Sequence, residues 1–432
     1  VAGAAAGKYA ADQARGRMST KRARLVVIGN GMAGIRTVEE LLQLAPDLYD
    51  ISVFGTESYG NYNRVMLSLL LSGEKQADEI MLNPTAWYAE HGITLHAGDP
   101  VVEIDRARRC VRSSSGVEVA YDRLLIATGS QPIVLPVPGC DLPGVVCFRG
   151  IDDVERMVEA AGIYRSAAVI GGGLLGIEAA NGLSRRGMQV TLIHRSHVLL
   201  NQQLNDDAAR LLARNLQERG LVLRLDAETV ALEGGERVEG VRLADGSRID
   251  AGLVVMAVGV RPEIALAEAS GIHCGRGIVV DDTLQTYDPH VYAVGECVQH
   301  RKVTFGLVAP VWEQARVCAA HLARFGHRRY CAAETATRLK VTGIDLYSAG
   351  DFIGGAGTED LVMRDPRRGV YKRLVLRDSR LVGAVLYGDA KDGGWYFELI
   401  CEGTDIAPLR DRLLFGQSYC QSSIANLAGV AT

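Results

Sequence analysis

Two glycine-rich strand-to-helix turns, each followed by a second strand, constrain this chain more than any other feature. In the first, the β-branched run 24–28 (RLVVI) leads directly into Gly29-Asn30-Gly31-Met32-Ala33-Gly34. Ile35, Val38, Leu41 and Leu42 then recur at helical spacing until Pro46, and 51–54 (ISVF) reads as the next strand. In the second, 167–170 (AAVI) feeds Gly171-Gly172-Gly173-Leu174-Leu175-Gly176, a helix runs to Arg186-Gly187, and 189–193 (QVTLI) is the following strand. Each stretch is a β-α-β unit. The first glycine permits a tight turn, the second lets the backbone approach a pyrophosphate, and the third lets helix and strand pack closely, while the helix N-terminus offers N–H donors to the phosphate. One such turn is compatible with a purely structural role; two complete units imply two dinucleotide sites.

Three further strand ends belong with them. Segment 121–130 (YDRLLIATGS) is a strand ending in Ala-Thr-Gly, at Thr128 and Gly129, and 253–262 (LVVMAVGVRP) repeats the pattern with Val-Gly. Segment 291–297 (VYAVGEC) ends in Gly295-Glu296, and in a flavoprotein with two nucleotide sites such a carboxylate reaches the ribityl and phosphate end of FAD. Glu57, soon after the second strand of the first unit, is placed to accept hydrogen bonds from a ribose.

At 432 residues the chain is too long for one core, and three domains are expected. The formal net charge is −4 with both signs scattered, which argues against nucleic acid as a partner. No apolar run approaches the ~20 residues needed to span a bilayer, so no membrane is expected. Residues 1–20 lack the apolar centre of a secretory signal and read as a loose tail, and 417–432 read as a polar tail. The nine cysteines are dispersed, odd in number and without C-x-x-C spacing, which suggests reduced thiols in a cytoplasmic protein and no metal or cluster held by the chain itself.

The ordered set GxGxxG, ATG, GGGxxGxE, VGxRP and YAxGE resembles the FAD/NAD(P)-linked pyridine-nucleotide-disulfide reductase superfamily. Within it the chain looks like the flavin module at the N-terminus of assimilatory nitrite reductase large subunits and nitrate reductase electron-transfer subunits. The phrases that carry this are Tyr62-Asn63-Arg64-Val65-Met66-Leu67-Ser68, 171–178, Gly306-Leu307-Val308-Ala309-Pro310 and Leu339-Lys340-Val341-Thr342-Gly343-Ile344-Asp345, and the similarity runs over about 24–416. The resemblance implies an α/β fold with two Rossmann-like domains. An NAD(P)-binding domain (146–262) is inserted into an FAD-binding domain (21–145 and 263–325), and a small C-terminal α/β domain (326–416) is read as a packing or dimerisation module, which leaves a homodimer open.

Carried over residue by residue, Gly29, Gly31, Gly34, Glu57, Arg64, Thr128, Gly129, Gly295 and Glu296 are implied FAD contacts, and Gly171, Gly173, Gly176 and Glu178 lie on the nicotinamide side. Glu178 has an equally good reading as a carboxylate favoured by the helix dipole. Residues 57–73 contain none of the cysteines that thiol-using branches carry there, so a thiol relay is not expected. The implied chemistry is hydride transfer from NADH or NADPH to FAD with no catalytic side chain, followed by electron release to a redox protein: an iron–sulfur, sirohaem or molybdenum enzyme, or rubredoxin. A rubredoxin or ferredoxin reductase component is the rival enzyme, and a flavin-bound redox sensor the rival of another kind. After the second strand of the nicotinamide unit stand His194-Arg195-Ser196-His197. No carboxylate is present to accept from a ribose 2′-OH and Arg195 can pair a 2′-phosphate, so residue chemistry leans to NADPH while the resemblance leans to NADH.

Overall fold

The computed structural model describes residues 22–306, 308–331, 336–339 and 343–420. The expected tail over 1–20, the end of the polar tail over 421–432, and Leu307, Lys340, Val341 and Thr342 of the two quoted phrases lie outside the described residues.

Both glycine turns sit at the centre of a five-stranded parallel sheet. The first sheet runs in the order Val291–Ala293, Arg123–Ile126, Ala23–Ile28, Tyr49–Phe54, Thr94–His96, with Ile28 level with both Phe54 and Ile126. The second runs Val145–Cys147, Leu253–Met256, Ser166–Ile170, Gln189–Ile193, Val222–Arg224, with Ile170 level with Ile193 and Met256. Parallel strands covered on both faces must be apolar throughout, which is why Leu25–Ile28 and 167–170 read as unbroken apolar runs and are buried. In each unit a three-stranded antiparallel meander, over 101–120 and 229–250, precedes the strand that ends in glycine.

The strands read as 121–130, 253–262 and 291–297 are shorter than their apolar patterns. The sheet strands are Arg123–Ile126, Leu253–Met256 and Val291–Ala293, and the chain turns out of the sheet at Gly129, Gly259 and Gly295, with φ of +72°, +123° and +92°. Left-handed backbone cannot continue a ladder, so the glycines end the strands while the hydrophobic pattern runs on. Past the first two exits, Ser130–Pro132 pairs antiparallel with Val260–Pro262, a two-stranded bridge where the chain leaves the first sheet's unit and returns to it. The Thr128 hydroxyl donates to the Glu263 carbonyl at 2.7 Å, and the Glu263 N–H to the Gly129 carbonyl at 2.9 Å, locking the crossing.

Beyond residue 335 a five-stranded antiparallel sheet, ordered Ala336–Leu339, Leu346–Gly350, Arg380–Tyr387, Val370–Arg377, Glu359–Asp365, is covered by the helix Gly393–Glu402. Leu374, Leu386, Tyr396 and Leu399 form its core. Tyr371, Val385 and Tyr387 face the other way and join the core of the second parallel sheet.

Candidate functional site

The three glycines of each turn are required for different reasons. A Cβ on Gly29 (φ +113°) would lie 2.1 Å from the Ala127 carbonyl oxygen, and one on Gly34 would lie 2.6 Å from the Gly29 oxygen. In the second turn a Cβ on Gly171 (φ +122°) would lie 2.2 Å from the Ala257 oxygen, and one on Gly176 1.8 Å from the Gly171 oxygen. Those four glycines are fixed by the protein's own packing, strand against turn and helix against turn. Gly31 and Gly173 are not: each has ordinary negative φ, and a Cβ there meets nothing within 4 Å. Each is the N-cap of its helix, Met32–Leu44 or Leu174–Arg185, with no side-chain cap and no acidic residue in the first turn. Unsatisfied N–H groups at the positive end of the helix dipole, beside a surface kept bare of side chain, form a cradle for a pyrophosphate. The residues present therefore fit two dinucleotides, one per sheet.

Around the first cradle the structure gathers residues from across the chain. Gly295 presses on the start of the first helix, where an added Cβ would lie 2.8 Å from the Ala33 Cβ. Glu296 accepts from the Ser130 hydroxyl at 2.5 Å and from the Arg149 guanidinium at 2.6 Å. Glu57 pairs with Arg64 and accepts from the Tyr62 hydroxyl at 2.6 Å, so the carboxylate read as a ribose acceptor is already engaged by protein donors. Arg64 also donates to the Arg149 carbonyl at 3.0 Å, and Tyr59 to Asp152 at 2.9 Å. Gly150 lies close against this carboxylate: an added Cβ would stand 2.8 Å from Glu57 Oε1. The loop carrying Glu57 and Arg64 is thus clasped to the start of the helix Ile151–Ile163, which belongs to the second unit.

Sequence reasoning brought Glu57, Arg64, Thr128, Gly129, Gly295 and Glu296 to this neighbourhood and missed Tyr62, Arg149 and Ser130. Tyr62 stands inside the quoted phrase. Arg149 carries no local signal, since its role depends on a partner 147 residues away.

At the second cradle, His194 packs on the glycine turn. Its Nδ1 accepts the Gly172 N–H at 3.1 Å, and a Cβ on Gly172 would lie 2.6 Å from the ring. Burial and the Arg195 charge hold the His194 pKa below its ordinary value, consistent with a neutral ring that keeps Nδ1 as an acceptor. Arg195 is exposed on the following loop. Glu178 lies one residue beyond the first turn of its helix, on the chain segment that leads away from Gly173. Among the described residues no group of three or more His, Cys, Asp or Glu is arranged to hold a metal. Among the described residues no cysteine is joined in a disulfide, and Cys297, next to Glu296, is fully buried, which pushes its thiol up despite nearby backbone donors.

Residues 23–321, well over half of the chain, match the family described as pyridine nucleotide-disulphide oxidoreductase. The chain belongs to that family. Membership makes it an FAD- and NAD(P)H-dependent oxidoreductase by class, in agreement with the two cradles. Residues 336–404 match the family described as rubredoxin NAD+ reductase C-terminal domain. This member is 44% identical over 384 residues to an NAD(P)H nitrite reductase of Bacillus subtilis (strain 168), covering 89% of this chain and 48% of that protein. It is 41% identical over 394 residues to the assimilatory nitrate reductase electron transfer subunit of the same organism, covering 91% and 51%. The chain therefore spans about half the length of these curated relatives. Among solved structures, the covalent putidaredoxin reductase-putidaredoxin complex is similar with a TM-score of 0.80 at 26% identity, over 89% of this chain and 94% of that one.

Proposed function

We propose that this oxidoreductase takes electrons from reduced nicotinamide nucleotide onto FAD and delivers them to a redox protein of a nitrite or nitrate reductase system, in the reducing setting of the cytoplasm. The observation that carries the nucleotide part is the pair of bare N-capping glycines, one in each parallel sheet, where the protein itself needs no glycine. The nitrogen-assimilation part is supported by the resemblance to the two Bacillus proteins. FAD supplies two-electron acceptance and stepwise release. In this reading the first unit (21–145 and 263–325) holds FAD, the second (146–262) holds the nicotinamide nucleotide, and 326–416 is a packing module.

The chain's own residues place and shield. Gly31 and Gly173 leave room for the two pyrophosphates. Glu296, held by Ser130 and Arg149, would offer a fixed carboxylate to the sugar end of FAD, and the Glu57–Arg64–Tyr62 cluster braces the loop that carries Glu57. The clasp to Arg149 and Asp152 sets the two units against one another, the alignment a hydride transfer needs. A second reading, a rubredoxin or ferredoxin reductase component, is favoured by the match over 336–404.

The test is turnover with defined acceptors. Purified protein is expected to oxidise reduced nicotinamide nucleotide with ferricyanide and to reduce nitrite only when a cluster-bearing partner is added; faster turnover with rubredoxin than with that partner favours the second reading. Replacing all nine cysteines by serine is expected to leave dye reduction in the folded, FAD-loaded protein within about threefold of wild type, because residues 57–73 carry no cysteine and Cys297, beside Glu296, is a buried thiol with a raised pKa and a poor nucleophile. Loss of dye reduction would return a thiol to the mechanism.

Nucleotide choice turns on Arg195. In Arg195→Glu, kcat/KM for NADPH is expected to fall at least roughly tenfold, equivalent to about 1.4 kcal/mol, with little change for NADH. An unchanged ratio of the two would make Arg195 a solvated surface charge.

A further inference from the structure

Gln314 lies on the helix Val308–Leu322, outside every glycine motif, and is fully buried. Its Oε1 accepts the N–H of Gly295 at 2.7 Å, the glycine whose φ of +92° swings Glu296 out of the sheet. Its Nε2 reaches toward the buried Tyr330 hydroxyl without making a hydrogen bond of ordinary geometry. A buried amide satisfied on one side only is a poor choice for packing, since an apolar side chain of equal length carries no desolvation cost there. The bond to Gly295 accounts for it.

The helix that carries Gln314 also packs along the helix of the first glycine turn, with Arg36 over the Trp312 ring at 5.8 Å and Arg316 3.7 Å from Glu40. Gly295 in turn abuts Ala33 in the first turn of that helix. One element therefore backs both halves of the first cradle: it supports the phosphate-facing helix by packing and the Gly295-Glu296 turn by one hydrogen bond. From the front, Ser130 and Arg149 fix the Glu296 carboxylate.

We propose that Gln314 is a positioning residue for FAD, holding the Gly295-Glu296 turn in the conformation that presents Glu296 to the cofactor. This rests on the reading of the first cradle as the FAD site. Without the acceptor on Gln314 the Gly295 N–H is buried and unpaired, the left-handed turn loses its brace, and Glu296 and the start of the first helix lose their common reference.

The experiment uses the full chain, stripped of flavin and titrated with FAD by flavin fluorescence, in wild type, Gln314→Met and Gln314→Glu. Methionine matches the length of glutamine and lacks a strong acceptor, whereas glutamate keeps an acceptor on Gly295. Gln314→Met is expected to raise the FAD dissociation constant about tenfold, and Gln314→Glu to restore it to within about threefold of wild type, with thermal midpoints of the FAD-free proteins measured alongside. If Gln314→Met does not fold, Gln314→Asn, one methylene short of Gly295, takes its place with the same expectation. Wild-type affinity in the Met or Asn variant, or equal weakening in the Glu variant, overturns the proposal. A wild-type chain that takes up no FAD at all overturns the assignment of the cradle instead.

Discussion

Gly31→Val is expected to leave a folded protein that no longer holds FAD. The Cβ at this position meets no protein atom within 4 Å, and the residue has ordinary negative φ, so a side chain is accommodated sterically by the protein. What it occupies is the pyrophosphate's line of approach to the helix N-terminus. The dissociation constant for FAD is expected to rise at least roughly a hundredfold, about 2.7 kcal/mol, while the thermal midpoint of the FAD-free protein stays near wild type. Gly29→Ala is expected to behave in the opposite way. Its Cβ would lie 2.1 Å from a carbonyl oxygen at φ +113°, so it damages the fold first, by roughly 2–5 kcal/mol, with flavin loss as a consequence. Parallel titration and thermal denaturation of the FAD-free proteins separate the two, and full flavin in Gly31→Val would remove the first cradle from the FAD site. The same logic applies to Gly173→Val, expected to keep FAD and lose nicotinamide nucleotide.

The second large effect lies in the C-terminal sheet. Lys372, only 2% exposed, bonds Asp389 at 2.8 Å and stands 4.0 Å from Asp392, the N-cap of the helix Gly393–Glu402. Asp392 also accepts the Gln417 N–H at 3.2 Å, so one buried ammonium ties the strand Val370–Arg377 to the covering helix and to the chain beyond it. Removing one partner of a buried pair costs roughly 3–5 kcal/mol, and because Asp389 keeps 32% of its side chain in solvent, about 2–3 kcal/mol is expected for Asp389→Asn. Lys372→Met is expected to cost a similar amount by stranding two carboxylates, and the double variant to recover a good part of either loss. Additive losses in denaturant unfolding would show that the pair does not couple.

Burial pushes the Asp389 carboxyl up, but the bond to Lys372 and its charge more than reverse this, so its pKa lies below the usual carboxylate range. A group depressed on folding stabilises the fold above its unfolded pKa, near 4, and loses that contribution as pH falls toward its folded value. The stability gap between wild type and Asp389→Asn is therefore expected to narrow below about pH 4.

The sequence by itself determined the two parallel β-α-β units, the glycine that ends each strand and the family. These are local matters: left-handed φ, apolar strands buried on both faces, and glycine spacing set by one turn of chain. The protein partners of Glu57 were not legible, because the arginine that pairs with it is held by a loop that folds back from Arg64 onto Arg149. Nor were Arg149 and Gln314, whose partners Glu296 and Gly295 come from other parts of the chain. The motif already gave the middle glycine to a pyrophosphate and the outer two to the turn and the packing; only the tertiary structure decided which atoms crowd the outer two and that nothing crowds the middle one. Gly29, Gly31 and Gly34 are one residue type in one motif, and what separates them is whether an added Cβ meets a carbonyl oxygen of the protein or open space.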